Sequence, residues 1–211
     1  MLAGKVILVA GAGGIGGGLA RRYAAEGARV VLGDIDLDAA RETVDEIQRE
    51  NGDATAIHLD GADEKSVIAA VETCRKTYGG LDGLHANFAN LADNNPELGI
   101  LELPLEIYDE TQRVNARGFY LCTRAALPLM IERGGGSIVY TSSAAANAKS
   151  PAQVAYAMSK AAGGADAACG HAPWSAGRAG EYDRTGADSA CADRSTGATA
   201  IDRLGPRGGS D

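Results

Sequence analysis

The chain has 211 residues, a length that fits one domain with a core large enough to fold without disulfides or structural metals. Its formal net charge of -8 argues against nucleic acid and anionic membrane surfaces as partners, because both recruit clustered Lys and Arg. The four cysteines are widely spaced and form no C-x-x-C pair, so we expect no metal site, a cytoplasmic location and a small-molecule ligand.

Apolar runs of strand length alternate with stretches of helical periodicity up to about residue 162. Strands separated by helices need crossover connections, so this alternation predicts a doubly wound α/β fold of Rossmann type, with a parallel sheet and helices on both faces. No run approaches the roughly 18 apolar residues of a membrane span. The predicted strands are Lys5–Ala10, Arg29–Gly33, Thr55–Leu59, Gly83–Asn87 and Ser137–Thr141; the predicted helices are one ending at Gly27, Leu37–Arg49, Glu64–Tyr78, one that contains Asn115 and runs toward Ile131, and one opening near Val154, with a long loop at Leu91–Leu103.

The composition changes at Gly163. From there to Asp211 the only aliphatic residues larger than Ala are Ile201 and Leu204, and Lys is absent. Such a segment buries little apolar surface against the roughly 1 to 2 kcal/mol per residue that backbone ordering costs. The sequence therefore predicts a folded domain at residues 1–162 and a poorly ordered tail at residues 163–211.

The first strand is followed by a glycine-rich turn. It contains Gly11, Gly13, Gly14 and Gly16, with Ile15 among them. Residues without a side chain let the backbone turn tightly and approach a pyrophosphate, while the N–H groups at the start of the next helix point at it. The turn predicts a dinucleotide site, and the alternative is a flexible connection.

Asp34 closes the second predicted strand, 23 residues after Gly11, close to the spacing of about 20 at which dinucleotide-binding folds place an acid. A carboxylate there accepts hydrogen bonds from the adenosine ribose and repels a 2′-phosphate, so the sequence favours NAD over NADP. The alternative is that Asp34, with Asp36 beside it, is the solvated end of a strand.

Tyr156 and Lys160 lie four residues apart, on one face of the last predicted helix. An ammonium beside a phenol stabilises the phenolate, so the pair can exchange a proton with an alcohol while a hydride moves. Ser143 follows the last predicted strand, at the sheet edge where the ligand crevice lies, and can donate a hydrogen bond to a substrate oxygen. The alternatives are an amphipathic helix with an extended lysine and a serine that caps a turn.

Taken together, these motifs resemble the short-chain dehydrogenase/reductase family over about residues 2–162. The resemblance implies a catalytic set of Asn115, Ser143, Tyr156 and Lys160. In that set Tyr156 is the general acid/base, and Lys160 assists it and binds the nicotinamide ribose. Ser143 holds the substrate carbonyl, and Asn115 anchors a water that links Lys160 to solvent.

The same resemblance implies that Asp60 contacts adenine and that Asn87 and Ala89 border the cofactor. Two motifs depart from the family pattern. The glycine turn is one residue short, with Ala10 in place of Thr, and Phe88 and Ala89 end a turn that is Asn-Asn-Ala-Gly in the family. We expect Phe88 and Ala89 to tighten the cofactor pocket. The implied cofactor-binding set is Gly11, Gly13, Gly14, Ile15, Gly16, Asp34, Asp60, Asn87, Ala89, Tyr156 and Lys160.

Beyond Ala162 the resemblance ends, and the family's sixth strand, substrate lid and seventh strand are not readable. One hypothesis is a shift of reading frame near this residue: one nucleotide later, the codons of residues 182–188 permit Thr-Ile-Ala-Pro-Gly-Leu-Ile, a sixth-strand ending of the family. We then expect the last strands to be missing, one sheet edge to be uncovered and activity to be reduced. The homo-oligomer that the family implies is correspondingly less expected.

The leading prediction is an NAD-dependent oxidoreductase that acts on a small to medium secondary alcohol or ketone. Two alternatives remain open at this point. One is a dinucleotide-binding remnant without catalysis, and the other is an epimerase or dehydratase that uses the same tyrosine and lysine.

Overall fold

The computed structural model describes residues 2–91, 99–147 and 153–169, with the backbone alone from residue 163. Strands and helices alternate along this part of the chain, as the periodicity predicts. The strands are β1 (Val6–Ala10), β2 (Arg29–Asp34), β3 (Asp53–His58), β4 (Gly83–Ala86) and β5 (Ser137–Tyr140), and the helices are α1 (Gly14–Ala25), α2 (Leu37–Arg49), α3 (Glu64–Tyr78), α4 (Leu105–Glu132) and α5 (Val154–Cys169).

The five strands form one parallel sheet in the order β3-β2-β1-β4-β5. β1 lies in the centre, with Ile7 paired to Val30 of β2 on one side and to Gly83 of β4 on the other. The chain winds outward from β1 in both directions, so the strand order reverses beside it. The predicted doubly wound α/β fold is confirmed, and the reversal opens a crevice at the carboxyl ends of β1 and β4.

Each face of the sheet has its own apolar core, because successive residues of a strand point to opposite faces. Leu8 of β1 and Leu84 of β4 pack under α3 and α4. Val9 of β1 and Leu32 of β2 pack under α1 and α2. The central strands are thus buried on both faces, which explains their uninterrupted apolar sequence.

Local signals set the starts of α2 and α3 and the end of α3. The carboxylates of Asp36 and Asp63 accept backbone N–H groups at the starts of α2 and α3, the usual role of Asp at an N-cap. Gly79 ends α3 with a left-handed φ of 79°, which glycine adopts without strain. β3 begins at Asp53, two residues before the predicted Thr55, because its pairing with β2 starts at Arg29.

α5 continues through Gly163 and Gly164 to Cys169, beyond the change of composition. The alanines of this stretch are strong helix formers, and they offset the two glycines. The predictions for the tail and for the reading frame concern residues that lie otherwise outside the described part of the chain, as does most of the predicted loop Leu91–Leu103.

α4, with 28 residues, is the longest helix in the described ranges. None of the helices there combines the length and apolar character that crossing a lipid bilayer requires. Within the same ranges, no cluster of three or more His, Cys, Asp or Glu side chains is arranged to hold a metal ion.

Candidate active site

The turn between β1 and α1 is built around two glycines that leave no room for a side chain. Gly11 has a φ of 106°, and a Cβ there would lie 2.6 Å from the backbone nitrogen of Phe88. A Cβ on Gly16 would lie 1.7 Å from the carbonyl oxygen of Gly11. At Gly13 and Gly14, by contrast, no atom lies within 4 Å of the Cβ position. The turn is therefore closed on its inner side and open at these two residues.

The start of α1 fits a diphosphate. The helix begins at Gly14 with no side-chain cap from Gly13 and no acidic residue in its first turn. The N–H groups of a first helical turn carry partial positive charge and attract anions. Ile15, 64% exposed, projects from the same turn. An uncapped helix start beside two open glycines suits an anion such as a diphosphate.

Asp34 lies beside this turn, at the carboxyl end of β2. One carboxylate oxygen accepts the N–H of Ala12 at 2.5 Å, and the other accepts the N–H of Asp36 at 2.9 Å. Each carboxylate oxygen has a second lone pair, so both can still accept hydrogen bonds from ribose hydroxyls. The side chain that the sequence assigns to the adenosine ribose thus also fixes the glycine turn.

Asn87 bridges the glycine turn and the end of β5. Its Nδ2 donates to the carbonyl oxygen of Gly11 at 3.3 Å, and its Oδ1 accepts the hydroxyl of Thr141 at 2.8 Å. Asp60, the residue assigned to adenine, accepts the N–H of Ala62 at 2.8 Å. Both residues hold the loops that border the crevice.

The side chain of Phe88 packs into the protein. A Cβ on Gly61 would lie 2.4 Å from its ring, and a Cβ on Gly118 would lie 2.8 Å from it. The ring meets Phe119 edge-on, with 5.2 Å between centroids. The two glycines make the room that Phe88 fills between the β3–α3 turn and α4, while the neighbouring Ala89 is exposed.

Lys160 is 2% exposed. Its Nζ donates to the carbonyl oxygen of Thr141 at 2.8 Å and lies 4.8 Å from the ring centroid of Phe119 and 5.8 Å from that of Tyr156. Burial lowers the pKa of Lys160 to about 8. The predicted proximity of the ammonium and the phenol is therefore present, and an aromatic face and a carbonyl group stabilise the buried cation.

Asn115 is fully buried on α4. Its Nδ2 donates to the carbonyl oxygen of Asn90 at 3.1 Å and to Oγ of Ser159 at 3.0 Å, while its Oδ1 accepts the N–H of Asn90 at 2.6 Å. Ser159 in turn donates to the carbonyl oxygen of Tyr156 at 2.7 Å. The amide of Asn115 thereby joins the turn after β4 to the first part of α5.

Ser143 follows β5 by three residues and caps the short 3-10 turn Ala144–Ala146. Its Oγ accepts the N–H of Ala145 at 3.2 Å. The capping role that the sequence left open is present in the structure. A serine that accepts in this way keeps its own hydroxyl hydrogen for a substrate oxygen, so capping and substrate binding are compatible.

A family model described as short chain dehydrogenase matches residues 5–167. The chain belongs to the short-chain dehydrogenase family. The matched range includes the glycine turn, Asp34 and all four predicted catalytic residues. It also extends a few residues beyond the point at which the sequence resemblance was expected to end.

Curated relatives of this short-chain dehydrogenase include a probable short-chain type dehydrogenase/reductase of Bradyrhizobium diazoefficiens, 44% identical over 160 residues that make up 75% of this chain and 57% of the relative. A 2,5-dichloro-2,5-cyclohexadiene-1,4-diol dehydrogenase of Sphingobium indicum is 36% identical, over 76% of this chain and 63% of the relative. A mitochondrial (-)-isopiperitenol/(-)-carveol dehydrogenase of Mentha piperita is 38% identical, over 75% of this chain and 60% of the relative. The chain spans between about half and two thirds of the length of its curated relatives.

Among solved structures, a 7α-hydroxysteroid dehydrogenase in complex with NADH and 7-oxo glycochenodeoxycholic acid is similar to this short-chain dehydrogenase, with a TM-score of 0.71 and 32% identity over 77% of this chain and 62% of that one. A short-chain type dehydrogenase/reductase from Mycobacterium marinum has the same TM-score and identity, over 76% of this chain and 65% of that one.

Sequence reasoning missed several residues that build the site of this short-chain dehydrogenase. Ser159 and Asn90 complete the hydrogen bonds of Asn115, and Thr141 and Phe119 hold Lys160. A hydroxyl inside the Tyr-x-x-x-Lys pattern was a visible signal for Ser159. The main-chain carbonyl of Thr141 leaves no such signal, because any residue supplies one.

Proposed function

We propose that this short-chain dehydrogenase transfers a hydride between NAD and a secondary alcohol or ketone, with Tyr156 as the general acid/base. The observation that carries the proposal is the position of Lys160: its buried Nζ lies 5.8 Å from the Tyr156 ring and donates to Thr141. Thr141 is joined through Asn87 to the glycine turn. One chain of hydrogen bonds therefore joins Lys160 to the glycine turn, which supports a proton-transfer pair and a dinucleotide site that work together.

The residues that would hold the cofactor lie at or just after the carboxyl ends of β1, β2, β3 and β4. Gly13 and Gly14 leave space at the start of α1, where helix N–H groups would bind the diphosphate. Asp34 would accept the adenosine ribose hydroxyls, and Asp60 and Ala89 would border the adenine. When bound, the nicotinamide supplies or accepts the hydride.

Proton transfer falls to Tyr156 and Lys160. With a pKa of about 8, Lys160 carries its charge at pH 7, and a cation close to the phenol favours the phenolate. Tyr156 then takes the alcohol proton during oxidation and returns it during reduction. Ser143 donates a hydrogen bond to the substrate oxygen as charge develops there, and Asn115 keeps α5 in place through Ser159.

The preference for NAD over NADP is also part of the proposal. Asp34 lies within hydrogen-bonding distance of the glycine turn, so its carboxylate would be close to the adenosine ribose. A 2′-phosphate at that position would meet a negative charge in a partly buried environment, where electrostatic repulsion is stronger than in water.

The names of the relatives support an alcohol as substrate, because they describe dehydrogenases of a cyclohexadiene diol, of isopiperitenol or carveol, and of a hydroxysteroid. Each of these compounds carries its hydroxyl group on a ring carbon. We therefore place a cyclic secondary alcohol, or the corresponding ketone, first among the candidate substrates.

The test combines binding and turnover on the full chain. NADH binding is followed by fluorescence titration, and NADH formation from NAD is followed with a panel of cyclic secondary alcohols. Tyr156→Phe removes only the hydroxyl group, and we expect it to lower kcat by about 10³-fold, within the range of general acid–base catalysis, while the Kd for NADH changes less than about threefold.

Three outcomes would contradict parts of this proposal. Full turnover by Tyr156→Phe would exclude the tyrosine as the acid/base. NADH binding without turnover on any alcohol would favour a dinucleotide-binding protein without this catalysis. An isomerised or dehydrated product would identify an epimerase or dehydratase.

A further inference from the structure

A second polar network lies behind the glycine turn, on the sheet face that α1 covers. His85 of β4 is 8% exposed; its Nδ1 lies 2.9 Å from the hydroxyl of Tyr23 on α1, and its Nε2 lies 3.1 Å from Oγ1 of Thr141. In the sheet register His85 stands between Val9 and Val139. An apolar side chain would suit this position, so a buried imidazole there requires an explanation.

The hydrogens of this network follow by elimination. The carbonyl oxygen of Gly11 only accepts, so Asn87 donates to it through Nδ2 and presents Oδ1 to Thr141. The hydroxyl of Thr141 therefore donates its one hydrogen to Asn87 and accepts from Nε2 of His85. His85 then carries its proton on Nε2, and its Nδ1 accepts the hydroxyl of Tyr23.

The network orients groups and does not conduct protons. It runs in one direction, from Tyr23 through His85, Thr141 and Asn87 to Gly11, and it ends on a peptide carbonyl, which does not take up a proton near neutral pH. Burial also lowers the pKa of His85, which is consistent with a ring that holds a single proton. The network must therefore act on the geometry of the groups that it joins.

Thr141 is the residue through which His85 would influence the geometry of the site. Its hydroxyl leads to Asn87 and the glycine turn, while its main-chain carbonyl accepts Nζ of Lys160. We propose that His85 is a positioning residue which, as the neutral Nε2–H tautomer, orients Thr141 so that the cofactor turn and Lys160 keep a fixed spacing. This inference rests on the proposed function, because it takes the glycine turn as the cofactor site.

The first test reads the tautomer directly. In the full chain without cofactor, ¹⁵N NMR of the histidine side chains, with His85 assigned by comparison with His85→Gln, should show a protonated Nε2 and an unprotonated Nδ1. Tyr23→Phe should leave Nε2 protonated, because Thr141 still accepts from it. A ring protonated on Nδ1, or a mixture of the two tautomers in the parent chain, would overturn the proposal.

The second test separates orientation from packing. His85→Leu fills the space without a donor, and we expect the Kd for NADH to rise about tenfold, as for the loss of a buried hydrogen-bonding partner. The amide nitrogen of His85→Gln can take the place of Nε2 and donate to Thr141, so we expect Kd to recover to within about threefold of the parent. Equal Kd values for the Leu and Gln variants would mean that the side chain only packs.

The two proposals fail in different ways. If the parent chain binds no NADH, the proposed function fails, and the tautomer measurement, which needs no cofactor, still decides whether His85 is fixed as Nε2–H. If the parent binds NADH and turns over alcohol while His85→Leu matches the parent in Kd and in kcat, the positioning role fails alone. Circular dichroism melting of each variant shows that the compared chains are folded.

Discussion

β1 and β2 differ from β5 in how completely they are buried. All five residues of β1 are buried, and the middle of β2 is fully enclosed between the two cores. In β5, Val139 is 44% exposed and Ser137 is exposed. The half of the sheet beside the proposed cofactor site is thus fixed by packing on both faces, whereas the half beside the proposed catalytic residues has one covered face.

The half beside the proposed catalytic residues is held by directed interactions. Asn115 makes three hydrogen bonds without any exposure to solvent, and Lys160 is held by a carbonyl group and an aromatic ring. Such bonds fix orientation, but each loses its effect when one partner is removed. The comparison predicts that the first half is most sensitive to added or removed volume, and that the second half is most sensitive to the loss of polar groups.

Added volume in the glycine turn should have the largest effect. Gly16→Ala places a Cβ 1.7 Å from the carbonyl oxygen of Gly11, so we expect a loss of more than about 3 kcal/mol in the free energy of unfolding, or no folding, since core strain of this kind is among the costliest changes. Gly13→Ala, with open space around its Cβ, is the matched control for stability. Urea denaturation of both variants measures the difference, and equal stability would break the comparison.

The buried charge of Lys160 gives the next effect. Burial lowers its pKa from 10.5 to about 8, so between these values the unfolded chain binds a proton that the folded chain has released, and the free energy of unfolding rises with pH by up to about 3 kcal/mol in total. Below pH 8 the cost of the buried charge is present in full. Lys160→Met should remove this rise.

Urea denaturation from pH 7 to 10 checks the lysine prediction. The quantity compared is the difference between parent and variant, because the buried thiols of Cys74 and Cys122 and the phenol of Tyr78 titrate in both chains. Lys65→Met, at an exposed position of α3, is the control and should keep the rise. A parent and a Lys160→Met variant with parallel pH profiles would mean that Lys160 is not desolvated in solution.

Two valines that flank His85 in the sheet register test packing directly. Val9 is fully buried and Val139 is 44% exposed, and both neighbour His85 on the same face. Val9→Ala should cost about 2 kcal/mol of unfolding free energy, because it removes two buried methyl groups, while Val139→Ala should cost less than about 0.5 kcal/mol. Thermal melting of the pair compares them, and similar losses would show that β5 is as well covered as β1.

The smallest expected effect concerns cofactor choice. Asp34→Asn keeps the shape and one acceptor oxygen for the N–H of Ala12, but it removes the charge and the acceptor for the N–H of Asp36. The ratio of the Kd for NADPH to that for NADH should therefore fall about tenfold. Asp36→Asn, which removes a neighbouring charge at the cap of α2, should leave the ratio nearly unchanged. Fluorescence titration with both cofactors measures this ratio. An unaltered ratio in Asp34→Asn would remove the basis for the proposed NAD preference.

The sequence predicted the strands, the helices, their parallel arrangement and the glycine turn, because these depend on local patterns. It also placed Tyr156 next to Lys160, since a spacing of four fixes neighbours on a helix. It could not predict that Thr141 holds Lys160 or that Ser159 meets Asn115, because those contacts join distant segments and depend on rotamers.

The interpretation of Phe88 shows the same limit. From its place in the turn the ring was expected to narrow the cofactor pocket, but the structure directs it between Gly61 and Gly118. The direction of a side chain after a strand ends does not follow from the period of the strand, so only the tertiary structure supplies it.

The fit of Phe88 against two glycines has an evolutionary consequence. We expect a relative with a phenylalanine here to keep positions 61 and 118 free of side chains, since less than 3 Å separates the ring from both Cβ positions. A methyl group at position 61 would require a smaller side chain in place of the ring. The three positions should therefore change as a group across homologues, and an engineer who transplants this turn into another scaffold would have to move all three together.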